Sequence, residues 1–305
     1  RLANPEVNLA AHGAVVMPVS LIVEAPIMMM LAASTALCRD AVSHRLVRRV
    51  MSGMSLALTA LHAAVAFTPL HDWVALELIG APAEVLEPSR LGLQLMLPWT
   101  WAIAYRRFHQ GLLIRAGRSR PVAVGTIVRL VANVVALAVG VLHGGWPGIA
   151  VAAAAISTGV VAEAVYVRLA ARPVVRSLQA TEPEGERRDL RGFAGFYLPL
   201  AHTQVLSLMI PPLGAAAMSR MPLALSSHAA WPAAWGFTFL MRAPSYAFTE
   251  VVVSLAGREG ADDALRRFVL RLACIATLIV LVFVASPLAE LWFGTLSGLE
   301  PDLAR

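Results

Sequence analysis

Residues 9–37 read LAAHGAVVMPVSLIVEAPIMMMLAASTAL, an apolar run with one acidic residue, Glu24, near its middle, between Pro18 and Pro26. As a helix rising about 1.5 Å per residue it covers about 43 Å. A bilayer core is roughly 30 Å thick, so the run can cross with tilt or a proline kink. The stretch then recurs. A gapless shift of 218 positions lays Glu24-Ala25-Pro26 on Arg242-Ala243-Pro244, and Leu37 on Leu255. The same shift pairs Arg48-Arg49 with Arg266-Arg267, Thr59 with Thr277, Pro69-Leu70 with Pro287-Leu288, and Gly80 with Gly298. Two copies of one unit thus carry opposite charges at equivalent mid-span positions.

Composition agrees with a lipid solvent. Hydrophobic residues make up 58% of the chain and charged residues 14%, where a soluble domain carries about a quarter charged. The mean hydropathy is +0.69. The net charge of +6 does not point to nucleic acid, because the arginines sit in short segments between apolar runs. Cys38 and Cys274 show neither metal-ligand spacing nor a disulfide framework. The sequence holds no nucleophile elbow, no phosphate loop and no metal cluster.

Eight apolar spans are predicted, at residues 9–37, 50–69, 91–105, 122–142, 149–169, 193–218, 223–255 and 268–288. A basic turn is expected before residue 50, an irregular acidic loop over 71–90, and a polar linker from 170 to 191. Six spans separate one copy from its echo, so both insert in the same orientation, related by a pseudo-twofold axis along the membrane normal. Counting arginines outside the spans gives 19 on one side and 4 on the other. The first side is therefore cytoplasmic, and the location expected is a bacterial inner membrane crossed several times.

Between 105 and 163 the chain carries YRRFHQGLLIRAGRSRP, then Arg129 and Asn133 within a span, then PGIAVAAAAISTGVVAEAV. This resembles the middle of the N-terminal six-helix lobe of the MATE-like exporters and the related lipid-linked oligosaccharide flippases. The matching positions are Arg106 or Arg107, Gln110-Gly111, Gly117-Arg118-Ser119-Arg120, and Pro147-Gly148 through Ala155. The resemblance implies an all-α fold of two six-helix lobes with parallel pseudo-twofold symmetry, joined by a charged cytoplasmic linker. It places an N-terminal lobe at 1–170, the linker at 171–191 and the start of the second lobe at 192–305. It also implies a fragment, lacking the first helix and the last three. Cation-coupled members carry a carboxylate in the first or seventh helix. Here the span 193–218 offers His202 and Gln204 but no carboxylate, so a proton or sodium site is not transferred; coupling to H+ or Na+ stays open, and no other cofactor is expected.

Charges inside spans mark function or pinning. Glu24 and Arg242 have two readings: an interlobe pair that closes one state or contacts substrate, or two charges each satisfied within its own lobe near Pro26 and Pro244. Met28 beside Glu24 either lines an adaptable cavity or packs against lipid. His202 with Gln204 is either a proton carrier or a hydrogen-bonded core histidine. Arg129, about 12 Å along its helix, and Glu163, about 10 Å from the end of the next, fall at one level and form an intralobe pair that Asn133 could complete.

These features predict a transporter, not an enzyme. It would export a small organic or amphipathic solute by alternating access between two lobes, with the bilayer as its other partner. A flippase for a lipid-linked sugar is the alternative. An intramembrane transferase using His71, Asp72, Glu77, Glu84 and Glu87, or a non-transporting scaffold, is a second one.

Overall fold

The computed structural model describes residues 4–182, 189–255 and 260–297; side chains at 242, 243, 245–255 and 296 lie outside the described ones. Among the described residues every regular element is helical. Six helices there are long and apolar enough to cross a membrane: Pro5–Leu37, Ala41–Phe67, Arg120–His143, Gly148–Ala180, Leu190–Met218 and Ala261–Val284. The chain is a multi-pass membrane protein. The exposed faces agree, since Ile127, Leu130, Val131, Val134 and Val135 form an apolar flank that water would not tolerate.

The opening span is not one uniform helix. It runs as α1 (Pro5–Ala11), a π turn (His12–Val16), α2 (Met17–Glu24), a 3₁₀ turn (Ala25–Ile27) and α3 (Met30–Leu37). The proline at 26 has no N–H to give and its ring blocks the carbonyl four residues back, so the α-ladder stops at Glu24 and resumes at Met30. Ala10, Ala11 and Ala14 have no exposed surface, which lets neighbouring backbones approach closely.

Next comes α4 (Ala41–Phe67). The basic turn expected before residue 50 is helical instead, because Asp40 caps it. The Asp40 carboxylate accepts from the N–H groups of Val42 and Ser43 at 2.8 Å, and Ser43 Oγ accepts from the Asp40 N–H at 3.0 Å. The expected acidic loop is likewise ordered. It holds α5 (Leu70–Asp72), a π turn (Trp73–Ile79) ending on Gly80 at φ 74°, and a 3₁₀ turn (Ala83–Val85).

Next come α6 (Leu86–Arg115), α7 (Arg120–His143) and α8 (Gly148–Ala180). α6 runs antiparallel to α4. His62 bonds Thr100 Oγ1 at 2.8 Å and the Leu93 carbonyl at 3.0 Å, and Gln94 donates to the Ala66 carbonyl. Glycine sets the closest approaches: a Cβ at Gly111 would meet Ser34 and the Leu31 carbonyl of α3. α8 does not stop at 169 but continues through the first half of the expected linker to Ala180.

Residues 190–218 form α9 (Leu190–Leu208) and α10 (Ile210–Met218), broken at Met209 just ahead of Pro211-Pro212. α11 (Ala224–Leu255) and α12 (Ala261–Val284) follow, then α13 (Leu288–Glu290) and a π turn (Leu291–Leu296). Contacts divide the chain into two compact units at Ala229/Ala230. The reason is local. Tyr197 of α9 donates to the Pro26 carbonyl at 2.6 Å, Ser226 donates to Glu6 at 2.8 Å, and α10 packs on α2, so this segment belongs with residues 1–180. In the second unit Phe237 stacks on Phe283 at 3.8 Å, and Trp292 Nε1 donates to the Ala233 carbonyl at 3.1 Å.

Two of the eight expected spans, in α6 and α11, are not among the six apolar helices. α6 carries Arg90, Arg106, Arg107 and Arg115, and most of its surface faces protein rather than lipid. In element boundaries, Ala224–Leu255 falls on Pro5–Leu37 under a shift of 218, and Ala261–Val284 falls within Ala41–Phe67. Leu288–Glu290 falls on Leu70–Asp72, and the π turn from Leu291 falls on that from Trp73. Thr68 Oγ1 accepts from the Leu70 N–H at 3.2 Å, and Ser286 Oγ from the Leu288 N–H at 3.4 Å, again 218 apart.

Candidate functional site

Inside the first unit, α6, α7 and α8 bring a set of charges to one place. Arg106 and Gln110 are four residues apart on α6 and so share a face. Arg106 Nη1 donates to Glu163 Oε2 at 3.1 Å, and Gln110 Nε2 donates to Glu163 Oε1 at 3.0 Å. Arg129 of α7 approaches the same Oε2 with Nε at 3.6 Å. Glu163 has no exposed side-chain surface, Arg106 has 8% and Arg129 has 31%. Arg129 and Glu163 are therefore brought together, but the tighter partner of Glu163 is Arg106. Asn133 does not join them. Its Oδ1 has no hydrogen-bond partner and lies over Gly159, where any β-carbon would collide with it.

Arg106 and Arg107 were expected in a cytoplasmic loop. Both lie inside α6: Arg106 is buried, Arg107 is half-buried, and the Nε of each is buried without a partner.

Glu24 ends α2 at the proline break and is 2% exposed. Its Oε2 has no hydrogen-bond partner, while Arg106 and Arg107 act on it electrostatically. Two carboxylates thus share this interior with three guanidiniums. The partnerless Oε2 of Glu24, with the Nε atoms of Arg106 and Arg107, are polar groups that a water or ligand would satisfy. Pro26 offers its carbonyl to Tyr197, and Met28 is partly buried against the core rather than facing lipid outright.

The remaining candidates fall elsewhere. His202 is exposed and Gln204 half-buried on α9. Pro244 is exposed within α11, which continues as helix through it; the side chain of Arg242 lies outside the described ones. In the 71–90 stretch, Glu77, Glu84 and Glu87 are exposed. His71 instead bonds Asp72 at 3.0 Å through Nδ1 and Ser89 Oγ at 3.0 Å through Nε2. This serine–histidine–aspartate grouping is a clasp. Ser89 Oγ donates to the Leu86 carbonyl at 2.9 Å, Ser89 and His71 have no exposed surface, and Arg90 holds Asp72 at 2.7 Å. The hydrogen bond from His71, then the charge of Arg90, hold the Asp72 carboxyl below its usual range.

Sequence reasoning passed over Arg106 and Gln110 as members of the charge cluster. The available signal was their i, i+4 spacing directly beyond the span that was stopped at residue 105. Among the described residues no group of histidine, cysteine and carboxylate side chains could hold a metal ion. No protein-family model, no curated protein and no solved structure matches the chain.

Proposed function

We propose that this chain is part of a two-lobed membrane transporter that moves a small organic or amphipathic solute by alternating access, of the kind that residues 105–163 resemble. The observation that supports the proposal is a set of element boundaries that coincide under a shift of 218 residues. Spans, the short helix after the second span, the π turn behind it and the hydroxyl cap at Thr68 and Ser286 all recur at one offset. Parallel internal repeats of this kind are a hallmark of transporters that rock one bundle against another. α6 counts as a crossing in this reading. Arg90 reaches the Thr68 carbonyl at one end, and Arg115 reaches the Thr35 carbonyl at the other, so α6 covers the same depth as its neighbours. α11, with 32 residues, is long enough to be the eighth at about 1.5 Å per residue. The arginine-rich ends face the cytoplasm of a bacterial inner membrane.

A flippase for a lipid-linked sugar is the second reading. The excess of guanidinium over carboxylate around Glu24 and Glu163 supports it, because an anionic headgroup would meet a positive interior. Glu24, with the partnerless Arg106 and Arg107 Nε atoms, is assigned to the substrate or gating pathway in both.

The test is transport by the full-length protein in proteoliposomes, with and without a pH or sodium gradient. The panel holds organic cations, organic anions and a fluorescent lipid-linked sugar. Saturable movement of one class, slowed by Glu24→Gln in protein that folds normally, is expected. Movement no faster than in protein-free vesicles for every class would overturn the proposal.

A further inference from the structure

A cavity of about 320 Å³ opens between the arginine-rich ends of α6 and α8. Leu112, Pro173, Val174 and Leu178 supply apolar wall, while Arg115 and Ser177 supply the polar groups. Its volume sits at the lower edge of the roughly 300–1,000 Å³ of ligand sites. Pro173 lies within α8 and gives its ladder no N–H, so this wall is a weakened stretch of helix. Arg115 Nη1 is anchored on the Thr35 carbonyl at 3.0 Å, which fixes the guanidinium and leaves its other donors free to turn outward.

Charge is concentrated at the same ends. Arg115 belongs to the wall, Arg172 and Arg176 flank the wall residues of α8, and Arg118 and Arg120 follow at the α6–α7 turn. All five are exposed, and none forms an ion pair with a carboxylate among the described residues. α6 and α8 both end here, so their dipoles contribute about one negative charge in total. Five guanidiniums outweigh that.

We propose that this groove seats an anionic phospholipid of the leaflet on the arginine-rich side, with its phosphate on Arg115, Arg176 and Ser177 and the start of one acyl chain on Pro173, Val174 and Leu178. The apolar wall is the reason to assign a lipid rather than a soluble anion. A hydrated phosphate alone would leave that wall against water, whereas a phosphate bearing a chain satisfies both halves of the site. The inference needs only the membrane-spanning fold and is independent of what the protein transports.

The experiment measures binding of phosphatidylglycerol and phosphatidylcholine to the purified full-length protein by native mass spectrometry, with inorganic phosphate as a competitor. Phosphatidylglycerol should be retained selectively. Arg115→Gln with Arg176→Gln should weaken it about thirty-fold, or about five-fold for each arginine. Both residues are exposed, so the fold should persist. Ser177→Trp, also at an exposed position, should fill the groove and reduce binding with every arginine in place. Equal retention of the two lipids, an unchanged affinity in the double-arginine variant, or displacement by phosphate alone would each overturn the assignment.

Discussion

Glu163 is the most informative single residue to remove. Its carboxylate holds three partners: Arg106 at 3.1 Å, Gln110 at 3.0 Å and Arg129 at 3.6 Å. Glu163→Leu strands a guanidinium whose side chain is only 8% exposed. Breaking such a buried pair from one side costs about 3–5 kcal/mol, a fall in Tm on the order of 10 °C for a protein of this size. Arg129→Met should cost far less, about 1 kcal/mol or below, because Arg129 is 31% exposed and Glu163 keeps its two closer partners. Arg106→Met should fall between the two. The double change Arg106→Met with Glu163→Leu removes both charges together and should recover much of the loss, since well-packed apolar replacements of buried pairs are often neutral. Thermal unfolding of the four variants in detergent, followed by fluorescence-detected size exclusion, gives the ranking. If Arg129→Met proves as damaging as Glu163→Leu, or the double variant is no better than Glu163→Leu alone, the assignment of Arg106 as the principal partner is refuted.

Gly111→Ala should destabilise the protein by about 1–3 kcal/mol or more, since the added methyl meets a backbone carbonyl that cannot turn aside; thermal unfolding reads it, and an unchanged midpoint contradicts the close α3–α6 approach. Tyr197→Phe removes the 2.6 Å bond to the Pro26 carbonyl and should cost about 1 kcal/mol. Faster hydrogen exchange in α9 would register that loss. At the clasp of His71, Asp72 and Ser89 the Asp72 carboxyl titrates below its ordinary value of 3.8 when folded. Its contribution is therefore complete above that value and disappears as pH falls through the folded pKa. Protection of residues 68–90 against exchange, corrected for intrinsic rates, should drop in that acid window, and Asp72→Asn should abolish the drop.

Much of the spanning pattern was legible because lipid-facing surface must be apolar, and α7 and α12 expose it along most of their length. α6 was misjudged for the converse reason. Its walls are protein, so Arg106 and Arg107 sit within it, and a hydropathy reading took them for the start of a loop. The start of α4 was readable in principle from Asp40 and Ser43, which have capping-box spacing, but the arginines at 45, 48 and 49 suggested a turn instead. Position 129 and position 163 could be paired from helix rise alone. The stronger bond from Arg106 depends on how α6 packs against α8, and no spacing along the chain records that. The bond from Tyr197 to Pro26 is likewise invisible in the sequence, because it joins residues remote along the chain.

The proposed repeat is tested most directly by which side of the membrane its matching points face. With Cys38 and Cys274 replaced by alanine, single cysteines at Thr68, Ser286 and Thr181 are probed with an impermeant thiol reagent in cells expressing the full-length protein. Thr68 and Ser286 are 218 residues apart and cap equivalent turns, and Thr181 follows the end of α8. The account predicts that the cysteines at 68 and 286 label in intact cells, while the one at 181 labels only after permeabilisation. Labelling of 68 and 286 from opposite sides would contradict it.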